Sequence, residues 1–293
     1  LGAETAPVVA IRRALMLPVS RRWLLASSLA LVGTACFSVR QGAPPVTRTP
    51  IPGPGATVSP TDPTIDAGAV DFFADRDRIL AYRARPRGRG PFPSLLLLPD
   101  GRGLGPNAKE MARRLAKGGY LALALDFLSR SGGTDNAGDL TSITTLLNRL
   151  SPERAAGDVA AAVRYLEGLD FVDKGALGLF GLDYGATVAW VAAAEQPQVR
   201  AVVVVGGDPP SSARLARIKA PVLGLYAEYD RRQIASVPPT EEAARRAGVS
   251  FTAVIIKGVE RGFLNEANVE YNEAKAREAW ERIVAFFETT LRG

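Results

Sequence analysis

The chain has 293 residues, 47% of them hydrophobic and 23% charged, with a formal net charge of +6. That apolar fraction supports a sizeable core, while the small net charge, with no interleaved basic and aromatic clusters, argues against nucleic acid as a partner. One cysteine and no histidine exclude an intramolecular disulfide, a multi-cysteine zinc site and any reaction run on an imidazole base.

Residues 1–36 read as an address. Ser20-Arg21-Arg22 precedes an apolar stretch over 23–32, and Gly33-Thr34-Ala35-Cys36 closes it, the charged, apolar and small order of a secretory signal. The stretch is about half as long as a membrane-spanning helix needs to be. Its paired arginines resemble a bacterial twin-arginine signal. Thr34-Ala35-Cys36 resembles a lipobox, with Gly33 where leucine is usual. Cys36 is then the expected lipidation site, Met16 the expected start, and the bacterial envelope the expected location, with the membrane reached through an N-terminal lipid. A plain signal peptide with a stray cysteine is the alternative. Over 37–68, Pro44, Pro45, Pro50, Pro52, Pro54, Pro60 and Pro63 among threonines and glycines predict an extended tether. The folded domain is expected over 69–293.

In that domain short apolar runs alternate with helical patterns, the signature of an α/β fold. Runs over 70–73 and 79–84 predict a hairpin across Asp75-Arg76-Asp77. Further strands are expected over 94–98, 121–125, 176–180, 201–205, 222–226 and 251–256. Their unbroken apolar character predicts a mostly parallel sheet of about eight strands covered by helices on both faces. Met111 and Leu115 mark one helix. Val159, Val163 and Leu166 mark another, opened by Ser151-Pro152. Trp280, Ile283, Val284, Phe287 and Leu291 line one face of a long final helix.

Open parallel sheets bind ligands at the carboxyl ends of their strands. The run ending at Phe180 leads into Gly181-Leu182-Asp183-Tyr184-Gly185 and then a small-residue helix. Two glycines around a central residue at a strand-to-helix turn describe a nucleophile elbow, with Asp183 where serine or cysteine is usual. The next strand ends lead to Ala227-Glu228-Tyr229-Asp230 and to Lys257-Gly258-Val259-Glu260-Arg261-Gly262-Phe263. They place Asp230 at the position of a triad acid and Arg261 at that of the histidine.

Together with Leu98-Pro99-Asp100-Gly101-Arg102-Gly103-Leu104, the helix 111–120, Asp126-Phe127-Leu128-Ser129-Arg130 and 221–226, these segments resemble the dienelactone hydrolase family. The likeness runs from Phe72 to Leu291 and implies an α/β-hydrolase fold. It also implies an oxyanion hole of backbone amides, at Tyr184 and at Gly101 or Arg102.

A guanidinium remains charged at physiological pH and is no general base. The expectation is an Asp183, Arg261, Asp230 ion cluster in a non-hydrolytic binding or scaffold domain. Its pocket is framed by Asp100, Arg102, Arg130, Tyr184 and Arg261, and a small anionic ligand is expected with no metal and no cofactor. One alternative is an ester or lactone hydrolase with an Asp-based mechanism, in which Asp183 acts as nucleophile and Glu260 is available as base. A weaker one is dinucleotide binding at Gly101-Arg102-Gly103-Leu104-Gly105, where Pro106 replaces the third glycine of the fingerprint.

Overall fold

A computed structural model describes residues 50–293. The signal segment, Cys36, Met16 and the first part of the expected tether lie outside the described residues. Eight strands form one sheet: β1 (Ile65–Ala74), β2 (Asp77–Pro86), β3 (Phe92–Leu98), β4 (Leu121–Leu125), β5 (Val172–Leu182), β6 (Val199–Val205), β7 (Val222–Ala227) and β8 (Phe251–Ile256). Their order is β1-β2-β4-β3-β5-β6-β7-β8. The pairs β1/β2 and β2/β4 are antiparallel, and all others parallel. The helices are α1 (Pro106–Lys117), α2 (Leu140–Arg149), α3 (Pro152–Glu167), α4 (Tyr184–Glu195), α5 (Ser212–Leu215), α6 (Arg231–Ala247) and α7 (Glu273–Arg292).

The sheet separates two cores, and β3 shows how one strand serves both. Leu96 and Leu98 pack with the small residues of α3 and α4 on one face. Leu95 and Leu97 pack with α1 and α7 on the other. All four leucines are fully buried, which is why this strand reads as an unbroken apolar run and not as an alternation. The polar termini of α2 and α3 are closed by the Asp139 and Ser151 side chains, which accept the N–H groups of Ser142 and Arg154. Neither α2 nor α6 was anticipated from the apolar spacing. α6 carries Pro238 and Pro239 in its interior, residues that ordinarily argue against a helix.

The tether expected over 37–68 is corrected in its second half. Val58 N donates to Glu110 Oε1 at 2.7 Å, and Arg113 Nε reaches Val58 O at 2.6 Å. Arg114 Nε donates to Ala56 O at 2.7 Å, and its Nη1 lies 2.7 Å from Glu266 Oε1. Gly55 N also donates to Glu266, at 3.0 Å. Strand β1 then begins at Ile65, inside the expected tether. The composition argument weighs only apolar side chains. Here long charged side chains of α1 satisfy the backbone of a proline-rich segment and hold it against the domain.

Candidate active site

Strand β5 and helix α4 meet in a turn with no room for side chains on either flank. A Cβ on Gly181 would stand 2.4 Å from Gly185 O, and one on Gly185 would stand 2.0 Å from Leu98 O. Between them Asp183 takes φ 47° and ψ −106°, a left-handed conformation that costs an L-residue about 1–3 kcal/mol. The turn is held by Asp183 N donating to Val205 O at 2.9 Å and by Asp183 O accepting from Ala186 N at 3.1 Å.

Arg261, in the loop after β8, donates through Nε to Asp183 Oδ1 at 3.0 Å. Burial pushes the Asp183 carboxyl above the usual carboxylate range. The Arg261 charge opposes that shift, and Asp100 and Asp230 add to it. Asp230 is turned to another task. Its Oδ1 accepts the N–H of Gln233 at 3.1 Å and caps α6. Arg261 makes its ion pair with Asp183 and none with Asp230. The expected three-way bridge is therefore corrected to a pair with a second carboxylate acting at longer range. The physical reason is that one oxygen of Asp230 is committed to an orphan N–H of the helix start.

The N–H of Tyr184, first residue of α4, meets no acceptor among the described residues, and neither does that of Gly101. The amide of Arg102 differs, because it donates to Asp100 Oδ1 at 2.9 Å. Of the two candidates for the second oxyanion donor, Gly101 is the one left open. Tyr184 lends its N–H alone. Its ring packs edge-on to Phe127 at 5.6 Å and its hydroxyl donates to Leu150 O at 2.9 Å, while burial pushes the phenol upward.

Beside this turn lies a cleft of about 330 Å³, lined by Asp100, Arg102, Gly103, Leu140, Leu182 and Asn265 among others. A chamber of about 20 Å³ adjoins it and is lined by Asp183 as well as Asp100, Leu182 and Asn265. Asp100 is buried and held by the Asn265 side-chain amide. Arg102 stands in the cleft wall with Nε on Asn268 Oδ1 at 2.6 Å. Among the described residues it forms no ion pair.

Arg130 is a correction. Like Tyr184 and Arg261, which were also expected to frame the pocket, it lies outside the lining of both cavities, and its guanidinium is taken up by Asp158, at 2.6 Å, and by Asp77. The Asp158 side chain is almost wholly buried and needs a counter-charge. Glu260 is exposed and lines neither cavity. The sequence reading missed Asn265, Leu140 and Gln233. Asn265 follows Gly262-Phe263-Leu264 directly, so its nearness to the elbow was there to be found. Leu140 and Gln233 carried no pattern.

An elbow at the carboxyl end of β5, an open pair of backbone donors and an eight-stranded, mostly parallel sheet define the α/β-hydrolase class. Within that class the chain belongs to the dienelactone hydrolase family, whose model matches residues 79–291. A Methylorubrum extorquens protein named "Putative carboxymethylenebutenolidase" is 32% identical over 235 residues, covering 75% of this chain and 80% of its own. A Bradyrhizobium protein named "Probable 2-oxo-3-(5-oxofuran-2-ylidene)propanoate lactonase" is 27% identical over 78% of this chain and 97% of its own. Among solved structures, a dienelactone hydrolase-type protein of Klebsiella pneumoniae superimposes with a TM-score of 0.70 at 25% identity, over 76% of this chain and 98% of its own.

Proposed function

We propose that this chain hydrolyses esters or lactones of small organic acids in the cleft beside Asp183, with the Asp183 carboxylate as the base that activates water. The observation that carries the reading is the placement of Asp183. It sits at the elbow, next to the open N–H of Tyr184 and in the wall of the chamber that adjoins the cleft, so a carbonyl oxygen held by that donor brings its carbon to the carboxylate. Family membership and the lactonase named among the relatives support the same reaction class.

In this mechanism a water gives one proton to Asp183 while its oxygen bonds to the carbonyl carbon. Negative charge gathers on the carbonyl oxygen beside the Tyr184 amide. When the tetrahedral intermediate collapses, the bond to the leaving oxygen breaks, and that oxygen takes the proton from Asp183. No histidine is needed, because one carboxylate serves first as base and then as acid. Its upward shift by burial brings it closer to the pH at which it must exchange the proton. Asp183 as a base thus replaces the Asp183 nucleophile with Glu260 considered from the sequence. Arg102, in the cleft wall with no acidic partner among the described residues, supports a substrate bearing an anionic group.

A second reading is binding without turnover, and the Arg261 Nε on Asp183 Oδ1 favours it by occupying one side of the carboxylate. Turnover of aryl esters and lactones by the wild type, abolished in Asp183→Asn, supports hydrolysis. Saturable binding of the same compounds without product supports the second reading. Export and lipid attachment at Cys36 remain proposals, supported by the order of arginines, apolar stretch and small residues. Mass spectrometry of the protein extracted from its host tests them, and an unmodified Cys36 overturns the lipid.

A further inference from the structure

In the folded α2, Leu140, Ile143 and Leu147 share one face, three and four residues apart. The face is not used evenly. Leu147 is 2% exposed and sits in the core, Ile143 is half-buried at its edge, and Leu140 is left 43% exposed. Leu140 and Ile143 line the cleft, where Ala108, Leu182 and Ala267 add further apolar surface. The apolar face thus runs off the core and onto the cavity, and a ligand that covers its first turn removes apolar surface from water.

Two hydrogen bonds fix where this wall stands relative to the chemistry. The Thr144 hydroxyl donates to Gly101 O at 3.3 Å, and the Tyr184 hydroxyl donates at 2.9 Å to the carbonyl of Leu150, which ends α2. The helix is therefore tied to both residues whose amides stand open. The cleft also shares Asp100, Leu182 and Asn265 with the chamber lined by Asp183. For a substrate with its carbonyl at Asp183, the cleft is the adjoining space for the rest of the molecule. An apolar cavity of about 150 Å³ is enough for a benzene ring. The cleft, at about 330 Å³, has room for an apolar group of that size besides the ester linkage.

We propose that Leu140 and Ile143 are specificity-determining residues, and that the substrate is an ester or lactone whose apolar substituent, of up to about six carbons, lies against α2. The proposal rests on the hydrolytic reading and deepens it by naming the substrate class. Its test compares γ-valerolactone with γ-nonalactone, neutral lactones that differ only in a ring substituent, methyl or pentyl. Complete burial of one methylene is worth about fourfold, and cover from one side about half that free energy, or about twofold. The pentyl chain adds four methylenes, so kcat/KM of the full chain should be about tenfold or more higher for γ-nonalactone. Leu140→Ser combined with Ile143→Ala should bring the ratio to within about threefold of one, while Leu140→Met, which keeps the wall apolar, should retain it. Where the double variant does not fold, Leu140→Ser alone, at a largely exposed position, should still lower the ratio about twofold or more. A wild-type ratio near one overturns the proposal. So does an equal loss on both lactones in the variants, since a displaced helix explains that without contact. A wild type that opens neither lactone overturns the hydrolytic reading, and calorimetric affinities for the same two lactones then decide about α2. Tighter binding of γ-nonalactone that Leu140→Ser removes upholds the apolar wall, and equal affinities overturn it.

Discussion

Arg261 Nε and Asp183 Oδ1 meet at 3.0 Å in an unequal pair, with 54% of the arginine side chain exposed against 17% of the acid. The arginine reaches in from solvent to a carboxylate that lies below it. This asymmetry decides what the pair contributes. Water screens the guanidinium, so the attraction does not approach that of two enclosed charges.

Arg261→Ala is accordingly expected to cost about 1 kcal/mol or less. For a domain of this size that is a fall of roughly 2–4 °C in Tm at most. The larger effect falls on Asp183, which loses the charge that opposes its upward shift. The acid limb of the pH profile of kcat/KM should move to higher pH. Thermal denaturation and a pH profile of the variant check both statements, and an unmoved limb would separate Arg261 from the chemistry.

Asp183 also makes a stability prediction with a definite sign. Its folded-state value lies above the usual carboxylate range because of burial, so the folded protein holds this proton more tightly than the unfolded chain. Below the usual carboxylate value both states are protonated and the site carries no penalty. As pH rises through the raised value, the folded state must ionise a buried group and stability falls. Asp183→Asn removes that penalty, so the variant should be more stable than wild type near neutral pH and lose its advantage in acid. Asp62 behaves oppositely, because its bond from the Thr64 hydroxyl and its contact with Lys117 hold it at about 2. Its contribution is present above its unfolded value and disappears as pH falls, but it is common to both proteins and cancels in the difference. Denaturant titrations of the two proteins across this range provide the measurement.

The segment that precedes β1 offers a steric test. Gly118 closes α1 with φ −80°, where alanine has no backbone objection. A Cβ there, however, would stand 2.0 Å from Ile51 Cγ1. Gly118→Ala should push Ile51 off the helix end at a cost of about 1–3 kcal/mol and open residues 51–64 to limited proteolysis. Arg114→Ala should cost about 1–3 kcal/mol, because it removes the donor to Ala56 O and the ion pair to Glu266 while Glu110 keeps Arg113 and the Val58 N–H. If both variants resist proteolysis as the wild type does, the segment is held by other contacts.

The legible and illegible parts of this protein divide along the range of the interactions involved. Asp183 could be placed because Gly181 and Gly185 lie beside it in sequence and because the apolar run before them ends abruptly. The positions of Asp230 and Arg261 followed from the order of strand ends. The direction of a side chain did not follow. Arg130 sits in a loop at a strand end, as Arg102 does, yet its partner Asp158 is on α3, 28 residues away. The docking of residues 50–64 depends on Glu110, Arg113, Arg114 and Glu266, charged side chains that read as solvated until the helix is folded. Gln233 is one amide in a polar helix start.

Those two arginines yield the last prediction, because the same residue type has opposite consequences in the two places. Arg102 lines the cleft, with Nε on Asn268 and no acidic partner among the described residues. Arg102→Gln should therefore raise KM for a carboxylate-bearing ester or lactone by about tenfold, the loss of one charge-assisted contact. KM for a neutral ester of similar size should stay nearly unchanged, as should stability. Arg130→Ala should do the reverse. It strands the buried Asp158 carboxylate, at a cost of about 3–5 kcal/mol, while KM for both substrates holds at temperatures where the variant remains folded. Steady-state kinetics on a matched pair of charged and neutral substrates, with melting curves for both variants, give six readings. Equal loss of affinity for the charged and the neutral ester in Arg102→Gln would mean that this guanidinium shapes the cleft without recognising charge.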